Sequence, residues 1–391
     1  MRNKVIYYIQ NNSRPWICAL LLFVISYPKW FWGMSQDVIT IASLLLLLIA
    51  FADISKNRNS WNGGLIVLFI QIIFLGNYFI ASNTNLSGHA MVLIRGIGYA
   101  SIFLCSTDFW KRTVNCFIKI LAFLFVPTII EHFFITFLDH PTTVPYATEC
   151  PINPDRDYEV YIFNTYLVRT LDITARIRFS GFYDEAGVVG NITMVLLYLQ
   201  KFNFKKWYNI ILLISGILSF SLTFYIAVFA YYVIYGDIKL KLSFLVVLLL
   251  CVFFFYNNEF VYNLIFGRLE IEGGQLAGYN REIHTDINTW LKHVPLTDYL
   301  LWGYQPRESI PYAASWKWAF VLYGIIPSFL YLFFLVFPRI RYIRKGDLIL
   351  GLMLVTIIWI QRPFIQLYIY AFLLAIPFIY FCNTEKAIKH K

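Results

Sequence analysis

The residues best suited to chemistry stand in the run Arg176-Ile-Arg178-Phe-Ser-Gly-Phe-Tyr183-Asp184-Glu185-Ala-Gly-Val-Val-Gly. Two arginines lead it, and two carboxylates stand where a long apolar stretch begins. Guanidinium offers a permanent positive charge on a planar fork of donors, and carboxylate offers a place for a proton. A plain structural account is available. Ser180 would lie near the N-cap of a helix, the acids would occupy its first turn beside the positive end of the dipole, and Arg178 would pair with them. That account suits Asp184. It explains less well why ionisable groups sit at the mouth of an apolar segment, where they are expensive and usually serve function.

A second constellation is Asn280-Arg281-Glu-Ile-His284-Thr-Asp286-Ile-Asn288-Thr-Trp290, followed by Trp302-Gly303-Tyr304. A helix over 281–293 brings Arg281, His284 and Asn288 to one face; the plain alternative is a surface helix with solvated charge. Arg95 falls inside an apolar run and needs an anionic partner, either Glu131 or a lipid phosphate. Arg362 lies between two apolar runs, and its ordinary role there is to reach lipid headgroups. Asp155-Arg-Asp157 has the acid–x–acid form of a nucleotide-sugar metal motif, yet it belongs to a loop expected outside the cell membrane, where nucleotide sugars are absent. His284 and His293 are poorly spaced for a shared metal, and neither HExxH, paired CxxC nor a Walker lysine occurs, so no metal or cofactor is expected.

The elements that position these residues are membrane helices. Hydrophobic residues make up 59% of the 391, aromatic residues 19% and charged residues only 14%. A soluble domain of this size cannot hide so much apolar surface. The expectation is an all-α polytopic membrane protein, a single integral membrane domain over 1–391 with about twelve transmembrane helices. The spans are expected near 15–34, 37–55, 62–81, 88–106, 114–138, 181–200, 207–221, 223–237, 241–257, 315–337, 347–361 and 363–382. Short spans meet near Thr223, where Ser219, Ser221 and Thr223 are expected to satisfy backbone groups at a tight turn.

Charge fixes the sidedness. The net charge of +10 is gathered in short gaps such as Lys56/Arg58, Lys111/Arg112, Lys201/Lys205/Lys206, Lys239/Lys241 and Arg339/Arg341/Arg344/Lys345, alternating with gaps of little basic excess. This is the positive-inside pattern, and it excludes a nucleic-acid groove, which needs contiguous basic surface. An even helix count with both termini cytoplasmic keeps every such cluster inside. The first apolar run has no small-residue cleavage site after it and reads as a retained helix. Of the six cysteines only Cys150 lies in a long outer loop, so no disulfide framework is expected. Two large, partly helical periplasmic loops, 139–179 and 258–314, are rich in aromatic and aliphatic residues and carry arginines on the side that the charge rule disfavours. Loops of such length are usually functional.

Arg178-Phe-Ser-Gly-Phe-Tyr-Asp-Glu185-Ala-Gly resembles the Arg-x-x-Gly-x-x-x-Glu-(Pro/Ala) element of the Wzy-type O-antigen polymerases, relatives of the O-antigen ligases. Ser219-Phe-Ser-Leu-Thr223 resembles a turn common in those proteins, and Arg281 through Trp290 to Gly303-Tyr304 resembles their second-loop element; Arg268 can align in place of Arg281. The likeness in architecture runs along nearly the whole chain. It implies a multi-pass glycosyltransferase of the bacterial inner membrane with a periplasmic active site. Such an enzyme joins undecaprenyl-pyrophosphate-linked repeat units of a surface polysaccharide, with the lipid pyrophosphate leaving. On that reading Arg178 and Arg281 hold pyrophosphate, with Arg176 or Arg95 assisting, and Glu185 or His284 serves as base. Tyr183 and Trp290 stack on sugars, and Arg268 and Arg362 join the substrate-binding set. The implied partners are the lipid-linked oligosaccharide, membrane lipids and a separate chain-length regulator protein. Ligases carry a His-Asn pair near the position of Ala314-Ser315-Trp316, and this chain has no histidine there, which argues against the ligase alternative. A flippase, the alternative from another class, is expected to have short external loops and a charged central cavity.

Overall fold

The computed structural model describes residues 2–32, 37–54, 105–138, 140–150, 153–161, 166–169, 177–239, 242, 246, 262, 270–272, 275–276, 287–301, 303–304, 316–362 and 368–382. These residues are mostly helical. The helices are α1 (Arg2–Ile25), α2 (Asp37–Ile54), α3 (Thr107–Phe137), α4 (Ala186–Leu199), α5 (Trp207–Leu218), α6 (Leu222–Tyr235), α7 (Ile287–His293), α8 (Trp316–Tyr323), α9 (Ile325–Val336), α10 (Lys345–Gln361) and α11 (Tyr368–Tyr380). Strands β1 (Tyr146–Cys150), β2 (Asn153–Tyr161) and β3 (Tyr166–Arg169) form one sheet, and β4 (Ile271–Glu272) pairs with β5 (Gln275–Leu276). Two helical stretches, Thr107–Phe137 and Ile325–Tyr342, are long and apolar enough to cross a bilayer, and shorter apolar helices include Ala186–Leu199, Trp207–Leu218 and Leu222–Tyr235. The expected spans at 62–81 and 88–106, and most of 241–257, lie outside the described residues.

The chain divides into two compact units: Met1–Tyr27 with Gly33–Ile120 and Thr285–Lys391, and Pro28–Trp32 with Leu121–His284. In the first unit, α1 packs on α2, and α10 packs on α11. The N-terminal half of α3 sets Trp110 and Phe117 against Phe372 of α11. The expected helix 315–337 is two helices, because Gly324 interrupts it. The end of the second loop docks on that interruption: the Tyr304 amide donates to the Val321 carbonyl at 2.8 Å, and the Ile326 amide donates to the Leu300 carbonyl at 3.0 Å. Gly303 permits this approach, since a Cβ there would stand 1.9 Å from the Leu322 carbonyl oxygen.

In the second unit the first loop holds, besides the helical residue Ile177, strands that the expectation of a partly helical loop did not include. Within 139–179 the described chain forms an antiparallel sheet in the order β1-β2-β3, with Tyr146 opposite Val160 and Tyr158 opposite Arg169. The physical reason is composition: Tyr, Val and Ile crowd the stretch from Tyr158 to Val168, and such side chains favour a pleated, half-buried surface over a helix. In the same unit, α4 is buried along its whole length. The second loop has short strands, α7 and a 3-10 turn at Leu296–Tyr299.

Candidate functional site

The Arg178–Glu185 segment is held from several directions within the second unit. The sheet grips it by main-chain bonds: the Leu167 amide donates to the Gly181 carbonyl at 2.8 Å, and the Ser180 hydroxyl donates to the Leu167 carbonyl at 2.5 Å. The Tyr158 hydroxyl donates to the Asp184 carbonyl at 2.9 Å. On another side the Lys29 amide donates to the Phe182 carbonyl at 2.9 Å, with Trp30 lying 5.1 Å from the Phe182 ring. The C-terminal half of α3 adds Phe125, stacked on Phe182 at 4.9 Å and edge-on to Phe179 at 5.7 Å. Contacts of this kind contribute roughly 0.5–1.5 kcal/mol each beyond the burial of their surface.

A polar pair lies among these rings. His132 of α3 and Tyr166 of β3, both almost fully buried, share a hydrogen bond of 2.6 Å between Nδ1 and the hydroxyl. Tyr166 in turn stacks on Phe179, with centroids 5.9 Å apart. At the preceding position of the helix, the Glu131 carboxylate is buried and accepts two bonds from Thr142, one from the amide at 3.0 Å and one from the hydroxyl. Together they fasten the loop to the end of α3.

Arg178 emerges from this frame half-buried. Its Nε donates to the Ser219 carbonyl at 3.3 Å, while the neighbouring Phe179 amide donates to the Leu218 carbonyl at 2.9 Å. The segment is thereby hydrogen-bonded to the turn that joins α5 to α6. That turn reverses at Phe220, whose φ of 46° closes α5. Its far side rests on α4 at Gly190, where a Cβ would meet Ser221 Cβ at 2.4 Å and Ser219 Oγ at 3.2 Å. Only a residue without a side chain lets helix and turn approach so closely.

Details differ from the expected capped helix. Helix α4 begins at Ala186, so Asp184 and Glu185 precede it and Glu185 is the N-cap, making no side-chain cap bond. Ser180 is spent on the sheet instead of on a cap. The turn hydroxyls do not cap α6 either. Ser219 donates to the Gly216 carbonyl, Ser221 makes no cap bond, and Thr223 Oγ1 has no partner among the described residues. Asp184 and Glu185, six and seven residues after Arg178, are both partly exposed.

The other expected residues distribute as follows. Tyr183 is 1% exposed, with its ring against Phe182 at 4.8 Å, so it packs as core and has no open face for stacking. In the first unit, Trp290 is partly exposed, edge-on to Tyr304 at 4.8 Å, and Lys317 Nζ donates to Asn288 Oδ1 at 2.7 Å nearby. Arg362 follows α10, is buried, and lies with its guanidinium carbon 5.8 Å from the Tyr370 ring. Arg95, Arg176, Arg268, Arg281 and His284 lie outside the described residues.

Sequence reasoning missed the His132–Tyr166 pair and the Glu131–Thr142 tie, whose partners are far apart in the chain and carry no shared motif. It did single out the Ser219–Thr223 run, though without its contact to Arg178. No family model matches this chain, and neither curated proteins nor solved structures give a significant match.

Proposed function

We propose that this chain is a multi-pass membrane glycosyltransferase of the O-antigen polymerase type. It joins lipid-pyrophosphate-linked repeat units of a surface polysaccharide on the periplasmic face of a bacterial inner membrane. Support for the bilayer comes from apolar side chains left exposed at helical spacing. Ile41, Leu44, Leu45 and Leu48 do so on α2, and Phe123, Ile130, Phe133 and Phe137 on α3. Water would penalise such stripes, whereas acyl chains solvate them. About twelve spans with both termini inside is the arrangement that keeps the basic clusters on one side.

The observation that carries the reaction class is the clamped segment at the head of α4: a half-buried arginine fixed by the α5–α6 turn, with a partly exposed carboxylate following it. In the proposed reaction an acceptor sugar hydroxyl attacks the anomeric carbon of the donor glycan. The new carbon–oxygen bond forms as the bond to the pyrophosphate oxygen breaks, and the lipid pyrophosphate departs with the bonding electrons. Arg178 neutralises the charge that develops there, using the paired donors that suit phosphate oxygens. Glu185 receives the hydroxyl proton. Arg281 is the second guanidinium proposed for the pyrophosphate, and His284 is proposed as the other candidate base. The ligase and flippase alternatives gain no specific observation.

Deleting the gene in its native host tests this function. The expected lipopolysaccharide carries a single repeat unit on its core, and the long ladder is gone. Bare core with accumulating lipid-linked polymer would mean a ligase, and bare core with repeat units held on the cytoplasmic face would mean a flippase. Arg178→Glu is expected to remove polymer while the protein stays in the membrane at normal abundance; normal polymer from that variant would refute the assignment of Arg178.

A further inference from the structure

The first turn of α6 holds buried hydrogen-bond donors with no acceptor among the described residues. Thr223 and Phe224 are each 1% exposed, and neither amide has a partner among the described residues; the first intrahelical bond is donated by Tyr225 to the Ser221 carbonyl at 3.2 Å. A helix normally covers such amides with the side chain of its N-cap, yet Ser221 makes no cap bond. Thr223 Oγ1 is also buried and partnerless among the described residues. Each Cα–Cβ bond in a helix tilts toward its N-terminus, which sets the Thr223 side chain on the same side as these amides. Buried donors left without acceptors are costly and call for an explanation. Here the donors converge at the positive end of a helix dipole, one turn from the Ser219 carbonyl that anchors Arg178.

We infer that this end of α6 is the seat for phosphate oxygens of the donor pyrophosphate, with the Thr223 and Phe224 amides and the Thr223 hydroxyl donating to them and Arg178 closing the site. The inference rests on the polymerase reading and adds to it the helix end that receives the leaving group. Phe220 and Leu222 are partly exposed, so the seat is reached from the loop side. Gly190 keeps it in place by letting the turn lie against α4.

The test uses the full-length protein in detergent, with inorganic pyrophosphate as probe and Thr223→Val, of nearly the same shape, as the variant. Removing one hydrogen bond to a charged ligand is expected to weaken pyrophosphate binding about tenfold or more, and to raise the KM for lipid-linked donor in parallel. The same variant is expected to melt no lower than the wild type in the absence of ligand, because it deletes an unsatisfied hydroxyl. Thr223→Ser is expected to restore binding. A residue important for packing alone would not separate affinity from stability in this way.

Unchanged pyrophosphate affinity in Thr223→Val would overturn the seat while leaving polymerisation by the wild type intact. Weakened affinity in Thr223→Val, together with a wild type that fails to polymerise, would keep the seat and sink the polymerase reading. If Thr223→Val instead removes a co-purifying phospholipid with no effect on pyrophosphate, the seat belongs to a lipid headgroup and its assignment to the donor is overturned. No binding of pyrophosphate to the wild type also overturns it.

Discussion

Replacing Gly190 with alanine probes how closely the α5–α6 turn must sit against α4. The added Cβ would stand 2.4 Å from Ser221 Cβ and 2.6 Å from Ser221 Oγ. Carbon atoms in good contact lie roughly 3.5–4.0 Å apart, so helix and turn must part by about 1 Å. Overpacking of this kind costs roughly 1–3 kcal/mol. The same displacement acts on Arg178, whose bond to the Ser219 carbonyl is already 3.3 Å long and does not survive another ångström. Misplacing a catalytic group by that amount costs about a hundredfold in rate. On the polymerase proposal, Gly190→Ala is therefore expected to slow polymer extension by one to two orders of magnitude, measured with lipid-linked repeats in isolated membranes, with protein abundance largely kept. Ser221→Gly removes the two atoms that clash. It should cost little by itself, since glycine is tolerated at an N-cap and Ser221 makes no cap bond to lose. The double variant Gly190→Ala/Ser221→Gly is accordingly expected to recover most of the activity. Wild-type activity in Gly190→Ala, or an inactive double variant, would refute the reasoning.

Tyr166→Phe leaves buried His132 without its 2.6 Å partner and is expected to cost about 1–3 kcal/mol, read as a lower melting temperature in detergent; no change would mean the pair is not formed. Glu131→Gln places an amide group where two donors of Thr142 converge, and is expected to speed proteolysis of the 140–150 segment severalfold, with Thr142→Val giving a similar result. Gly303→Ala sets a side chain against the fixed Leu322 carbonyl, 1.9 Å away. Backbone cannot yield as a side chain does, so this variant is expected to be the least stable of the set, with little protein left in the membrane by immunoblot.

Helices were legible in the sequence wherever apolar residues predominated over a long stretch, as from Val114 to Phe137 or from Leu348 to Ile360. Hydropathy misjudged where they begin and end. The aromatic run Phe179–Tyr183 reads as the start of α4, but it is a buried non-helical segment gripped by a sheet, and the helix starts at Ala186. Gly324-Ile-Ile-Pro327 held a signal for the break between α8 and α9 that the continuous apolar composition hid. The aromatic and aliphatic richness of the first loop does not by itself separate strand from helix, although Tyr158, Val160 and Tyr161 supply strand-forming side chains. Arg178 and Glu185 could be chosen as candidates from residue type alone. The anchoring of Arg178 by Ser219 could not, because a pair 41 residues apart leaves no local pattern.

The short segment Pro28–Trp32 belongs with residues made much later. Its Lys29 amide waits for the carbonyl of Phe182, about 150 residues downstream, and at roughly 5–20 residues per second synthesis takes about 8–30 s to deliver that partner. Trp32 waits nearly as long for Tyr158, the ring it meets edge-on at 5.5 Å. During the interval the two tryptophans of this segment need another resting place, and a bilayer surface accommodates indole rings well. The assembly of the second unit is therefore timed by translation: a stretch threaded early is parked and then claimed once the Arg178–Glu185 segment emerges.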